Sequence, residues 1–394
     1  MTAGYSLEGA RSDCKSAALA AERMTVAPGV RVVSDFTFAR ELLRNSATKQ
    51  ATSANPEDAD GDDPVFLPVL FLDGDPHRRK RETVAPCFTL KATSTRYRAI
   101  MEETTDTLLS RLQARGRGRL DKMSFDLSVT VAAEIIGLTD SNRTAMIRRV
   151  RANLIGLRLP HMNRWRRPAG ELQTAFHGAR FFSRDVRPAI RTRRAQRRDD
   201  VISRLLDEGY PDKAIFIDCR TYAIAGVITT REFIVMAAWH MLGNEALRER
   251  FLAGEEVDQT AILDEILRLE PVANMIARQA TADIVTSSGS VTAGEIVVVD
   301  VRAANADEGG VGACPHVLNP DRARRVNVAG SYVSFGDGRH RCPAAHVALA
   351  ETRIFLDRLL RIPGIRLHRE PDLRWNDELV SYELRGAVVT CDRS

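Results

Sequence analysis

The sequence predicts a mainly α-helical fold carrying small β-sheets. Apolar residues recur at helical spacing through most segments between residues 36 and 269. One stretch, Asp212–Gly243, is largely apolar around its circumference, as a helix through the middle of a domain must be. Strand-like alternation is short and confined to Val30–Ser34, the region after Pro271, and the tail Leu373–Cys391. The 394 residues, 44% hydrophobic and 28% charged, suffice for a large core. No repeat or low-complexity linker divides them, so a single domain over 1–394 is expected, with 1–25 flexible.

Several function classes drop out early. No apolar run reaches the ~18–20 residues that cross a bilayer. The N-terminus lacks the charged start and apolar stretch of a signal peptide. The expectation is a cytoplasmic protein with no membrane attachment. Six cysteines, at 14, 87, 219, 314, 342 and 391, form no C-x-x-C pair and read as free thiols. The net charge of +5 comes almost wholly from arginine. Its densest run, Arg184–Arg198, has no interleaved aromatics for base stacking, so it reads as an exposed helix face and no nucleic-acid partner is expected.

In chain order, Asp35 is a cap for a helix over Phe36–Arg44. An acidic loop, Ser53–Asp63, leads into apolar Val65–Leu72. Pro76 suits the start of a helix in which His77 and Arg81, four apart, share a face fit for an anion. A solvated basic helix is the competing reading. Helices follow at Tyr97–Leu112, Phe125–Ile136, Asn142–Leu157, Gly170–Phe182 and Val186–Arg198, with a loop at Leu159–Pro168. The second of these is rich in small residues for close packing. Asp199-Asp200 caps Val201–Glu208. Within the long apolar helix, Ala225-Gly226-Val227-Ile228-Thr229-Thr230 weakens helix propensity, so an interruption is expected there. Glu265 and Arg268 form an i, i+3 pair before Pro271.

The most constrained window is Phe335-Gly336-Asp337-Gly338-Arg339-His340-Arg341-Cys342. Two glycines permit a tight loop closed to other residues. A helix beginning near Pro343 favours thiolate at Cys342. Such a thiolate is a nucleophile, a metal ligand or a structural thiol.

This window resembles the haem-binding loop of the cytochrome P-450 family, F-G-x-G-x-H-x-C, in which the cysteine is the axial ligand of haem iron. The order of the other motifs resembles the same family over roughly residues 30 to 390. That resemblance implies the cytochrome P-450 fold, a triangular helical domain plus a smaller β-rich region. It implies heme b (iron protoporphyrin IX) on Cys342, framed by Phe335 and Gly336. The propionates fall to His77, Arg81, Arg278 and His340. Ala225 and Gly226 lie over the oxygen-binding side, with Thr229 and Thr230 catalytic. Glu265, Arg268 and Arg322 are the family's structural charged cluster. Ile228 stands where the family carries a proton-relaying acid; Glu232, one turn on, is a weak substitute. The substrate pocket is expected at Leu70, Ile228, Val272, Met275, Ser381 and Tyr382.

The implied activity is oxygen insertion into a small apolar molecule of secondary metabolism. A separate ferredoxin or similar electron-transfer partner is expected, docking near Arg339 and Arg341, and the protein is expected to be a monomer. Peroxide-driven oxidation, oxidative coupling, and haem binding without turnover are the alternatives.

Overall fold

The computed structural model describes residues 12–51, 63–154, 162–163, 165–328, 330–377 and 379–393. The acidic loop expected at 53–63 lies almost wholly outside them, as does part of that at 159–168. Helices of seven residues or more are α1 (Ala17–Arg23), α2 (Phe36–Arg44), α3 (Gly74–Val84), α4 (Arg98–Arg115), α5 (Leu120–Ile136), α6 (Arg143–Asn153) and α7 (Arg167–Phe181). They continue with α8 (Arg187–Ala195), α9 (Val201–Asp207), α10 (Asp212–Leu242), α11 (Glu245–Ala253), α12 (Glu256–Leu269) and α13 (Ala345–Leu360). The main strands are β1 (Arg31–Val33), β2 (Thr48–Gln50), β3 (Met275–Ala280), β4 (Ile296–Asp300), β5 (Asp372–Asn376) and β6 (Ser381–Arg385). The mainly α class with small sheets is as expected.

The chain packs as two compact units, each drawn from three separated stretches. Met1–Ser53, Glu232–Cys342 and Gly364–Val389 make the first; Ala54–Arg231, Pro343–Pro363 and Thr390–Ser394 make the second.

The first unit holds a four-stranded sheet in the order β1-β4-β3-β2. β1 runs parallel to β4, while β3 is antiparallel to both β4 and β2. Alternation along β4 sends Val297 and Val299 into a core with Phe36, Leu42 and Leu43 of α2 and with Tyr332 and Val333. The Asp35 side chain accepts from Phe38 N at 2.6 Å, so the expected cap is present. The tail forms the hairpin β5–β6, pairing Tyr382 with Trp375.

The second unit is helical. Asn142 and Asp200 cap α6 and α9, accepting from Ala145 N at 3.0 Å and Ser203 N at 2.8 Å. α5 is buried along most of its length. One partner for it is Glu351 of α13, whose Oε1 accepts from Ser128 Oγ at 2.7 Å.

The basic run departs from expectation in part. Arg193 is 1% exposed, bound to Asp140 at 3.0 Å, Thr139 Oγ1 at 2.8 Å, Gly137 O at 3.1 Å, and Asp200. Arg194 and Arg197 pair with Asp212 and Asp207. A buried guanidinium is stable only with such full pairing, and these partners sit up to 56 residues away.

α10 also departs from the bilayer argument, because by length and composition it is long and apolar enough to cross a membrane. Sixty-seven per cent of its most apolar window is nonetheless buried inside the protein, as in a core helix.

Candidate functional site

In the first unit, the cysteine loop folds as its glycines require. Gly336 and Gly338 have φ of +69° and +67°. Cys342 N donates to Phe335 O at 2.8 Å, closing the loop on itself. Cys342 is half-buried, and α13 starts three residues on, at Ala345. A single turn, Gly338–His340, carries His340.

Asp337 clamps the loop. Its carboxylate accepts from Gly338 N at 2.7 Å and takes Arg40 Nε and Arg44 Nε, both at 3.0 Å, from α2. Burial pushes this carboxyl upward, but the hydrogen bonds from Arg44 and Arg40 prevail and hold it below its ordinary 3.8.

Gly338 is pressed against α2, and a Cβ there would meet the Leu43 carbonyl and lie 2.9 Å from Arg44 Cα. Gly338→Ala therefore costs at least ~1–2 kcal/mol for the left-handed backbone alone, with displacement of α2 in addition. The expected result is a lower melting temperature and a reduced haem content after reconstitution. A variant that melts and loads like wild type would show the contact to be slack.

Behind the loop sits the charged cluster. Arg268 grips Glu265 with two bonds of 2.8 Å, and Arg322 Nε reaches Glu265 Oε1 at 3.2 Å. All three are at most 5% exposed. The i, i+3 pair that sequence spacing alone leaves as a surface pair is thus a buried triad. Arg322 also donates to the carbonyls of Ala313 and Cys314, at 2.9 and 2.8 Å. These bonds give a role to the glycine-rich segment Asp307–Pro315.

Asn305 and Ser334 connect the triad to the loop. Arg268 Nη1 donates to Asn305 O at 2.7 Å. Asn305 Oδ1 accepts from Val333 N at 3.1 Å, and its amide donates to Ser334 Oγ at 2.8 Å. The loop's root is therefore hydrogen-bonded to the cluster. Sequence reading missed both residues, which carry no motif.

Arg278 lies on β3, 4% exposed, with Nη1 donating to Ala277 O at 2.9 Å and to Gln50 Oε1. On the same stretch Val272 is buried and Met275 half-buried.

Ser381 and Tyr382 correct the pocket expectation. They are 2% and 1% exposed, and the Tyr382 hydroxyl donates to Glu270 O at 3.1 Å. Both are interior packing residues. The half-buried Leu379 and Val380 form the hairpin turn instead, with Val380 at φ +46°.

Glu232 is no proton source either. It is 1% exposed, and its oxygens accept from Leu384 N and Arg385 Nη1, both at 2.8 Å.

In the second unit, α3 is not a solvated basic helix. His77 is 4% exposed, Arg81 is half-buried, and Val84 is buried on the same face. Lys80, also on that face, is 1% exposed and meets Asp218 Oδ2 of α10 at 2.7 Å and Leu67 O at 2.8 Å. Burial raises the Asp218 carboxyl to about 6 against the pull of Lys80. Lys80 was missed, although its spacing from His77 and Val84 placed it inward. Leu70 stands 46% exposed in the turn Val69–Phe71.

The interruption expected in α10 is absent, as the helix runs unbroken from Asp212 to Leu242. Thr229 Oγ1 donates back to Ala225 O at 2.7 Å. A carbonyl has two lone pairs, so it can take the hydroxyl without surrendering its ladder bond. Ala225 is exposed, and a Cβ on Gly226 would meet nothing within 4 Å, so this part of the helix borders open space. Thr229 is half-buried, while Ile228 and Thr230 are buried.

Comparison with known proteins agrees with these features. Residues 259–362 match the family model Cytochrome P450. Cytochrome P450 107B1 of Saccharopolyspora erythraea is 28% identical over 376 residues, covering 91% of this chain and 84% of that protein. Pentalenic acid synthase of Streptomyces avermitilis is 29% identical over 314 residues, covering 77% and 72%. Steroid C26-monooxygenase of Mycolicibacterium smegmatis is 27% identical, covering 80% and 75%.

Among solved structures, P450BioI in complex with acyl carrier protein ligated to hexadec-9Z-enoic acid has a TM-score of 0.76. It is 24% identical, with 92% of each chain covered. CalO2 gives 0.76 at 23% identity, covering 93% and 91%. With the loop closing on Cys342 and the buried triad behind it, the chain has the cytochrome P450 fold and is similar along most of its length to monooxygenases of that family.

Proposed function

We propose that the chain inserts one oxygen atom from O2 into a small, mostly apolar substrate of secondary metabolism. The second oxygen atom leaves as water, with two electrons and two protons supplied through a ferredoxin-type partner. The loop at Cys342 carries this reading. Its thiol stands on a backbone fixed by two left-handed glycines, Asp337 and the Asn305–Ser334 links, which suits an axial metal ligand better than a mobile nucleophile.

The donor set fits heme b. Cys342 would hold iron beside Phe335 and Gly336. The cations His77, Arg81, Arg278 and His340 would answer two propionates, and open Ala225 and Gly226 would accept a flat macrocycle. When bound, that haem supplies oxygen activation, which a thiolate ligand favours.

Thr229 and Thr230 are the proposed catalytic hydroxyls, with Thr229 orienting water. Leu70, Ile228, Val272 and Met275 are the proposed substrate contacts. Both units are proposed to act as one domain, as a cytoplasmic monomer. The neighbour solved with a loaded carrier protein supports widening the substrate class to acyl groups presented by such a protein.

A second reading rests on a specific observation. Ile228 is apolar and buried, and Glu232 is committed to Arg385. The usual acid near Thr229 is therefore missing, which favours peroxide as oxidant, since peroxide brings its own protons.

The reduced protein with carbon monoxide should show the strongly red-shifted Soret band of a thiolate adduct, and Cys342→Ala should lose it. If the variant kept the band, the assignment would fail. Product formed with peroxide but not with reductant, ferredoxin and oxygen would select the second reading.

A further inference from the structure

α6 carries four arginines and no acid, in the sequence RTAMIRRVRAN. Together with α7 it bounds a groove of about 280 Å³ lined by Ala145, Arg148, Arg149, Ala152, His177 and Arg180. Two of the lining residues are alanines, and three are arginines. Arg149 is held by Asp185 through two bonds of 2.6 Å, which fixes its side chain.

Arg148 and Arg180 are exposed and have no carboxylate partner among the described residues; Arg143, Arg166 and Arg184 nearby are the same. An uncompensated cluster of guanidiniums repels itself and gains most from an anionic partner.

Large apolar side chains stand beside the groove. Leu172 and Phe176, one turn apart on α7, are 73% and 60% exposed, and Trp165 before the helix is 78% exposed. Apolar anchors ringed by arginine are the composition of a protein interface. Too few aromatics are present to stack a run of bases.

We propose that the α6–α7 groove docks an acidic carrier protein that presents the substrate on a covalent arm. This rests on the monooxygenase reading and names how its substrate arrives. Arg148 and Arg180 would pair with carboxylates of the carrier, while Leu172 and Phe176 supply the apolar contact.

The test uses the haem-loaded protein and a fluorescently labelled bacterial acyl carrier protein charged with hexadec-9Z-enoate. Anisotropy should show saturable binding that weakens with salt. The double variant Arg148→Glu/Arg180→Glu should bind about tenfold or more weakly, with an unchanged melting temperature and carbon monoxide spectrum.

Absence of saturable binding, or equal binding by the variant, would overturn the proposal. So would phosphatidylglycerol vesicles binding with the same arginine dependence while the carrier does not bind. A missing thiolate spectrum beside arginine-dependent carrier binding would sink the monooxygenase reading alone; the converse would sink only the docking site.

Discussion

Arg268→Ala lowers the unfolding free energy by about 3–5 kcal/mol, the usual loss when one member of a buried ion pair is removed. The reason is what stays behind. Glu265 keeps Arg322 and the Asn319 amide at 3.0 Å, but loses both of its 2.8 Å bonds to Arg268. The Asn305 carbonyl loses its 2.7 Å donor as well. Because Asn305 fastens Val333 and Ser334, the disturbance reaches the root of the cysteine loop, and haem content should fall with stability. Arg268→Lys keeps the charge but not the planar fork, so it should lie between the two. Urea unfolding with a haem assay on each variant decides the matter. An Arg268→Ala protein within about 1 kcal/mol of wild type would refute a structural role for the triad.

Glu351→Gln should do the opposite and stabilise the protein, in a pH-dependent way. Burial lifts the Glu351 carboxyl from its ordinary 4.5 to about 8, and the single bond from Ser128 only moderates this. The folded state therefore keeps the proton to a higher pH than the unfolded chain does. The contribution is fully present below about pH 4.5 and is lost as pH rises toward 8. At about 1.4 kcal/mol per pH unit, the loss accumulates to a few kcal/mol. A glutamine preserves the acceptor for Ser128 and has no proton to lose. The variant should match wild type near pH 4.5 and exceed it increasingly up to pH 8, beyond which the gap stays constant. Unfolding curves that stay parallel across this range would mean that Glu351 is ionised in the folded protein.

What was legible in the sequence follows physical range. The Cys342 loop was readable because its constraint is local: glycines at positive φ beside a cysteine need no partner elsewhere. Caps at Asp35 and Asp200 were equally local. The Glu265–Arg268 pair was visible, but its burial was legible only through the family resemblance, since i, i+3 spacing is identical on a surface and in a core. Lys80 with Asp218, and Arg193 with Asp140 and Asp200, went unread because charge pairs across helices leave no periodic trace. The expected break in α10 failed for another reason. Threonine and glycine lower helix propensity by tenths of a kcal/mol to about 1, and burial of a long apolar helix outweighs that. Tyr382 was misplaced because alternation in a hairpin says which residues share a face, not which face is covered.

The parallel pairing of β1 with β4 bears on how the chain comes to be folded at all. Arg31 contacts Ser290, 259 residues further along. At about 5–20 residues per second of synthesis, the N-terminal strand waits on the order of ten seconds to a minute for its partner. Through that interval the valines of β1 and the apolar face of α2 have no sheet to cover them. Helices α3 to α9 of the second unit, whose contacts with one another are nearer in sequence, can begin to condense earlier, and α13 joins them only after β4 has been made. Expression at lower temperature or with a chaperone should therefore improve the yield of folded protein more than any repair of the helices, because the vulnerable species is a nascent chain whose first strand is still without its mate.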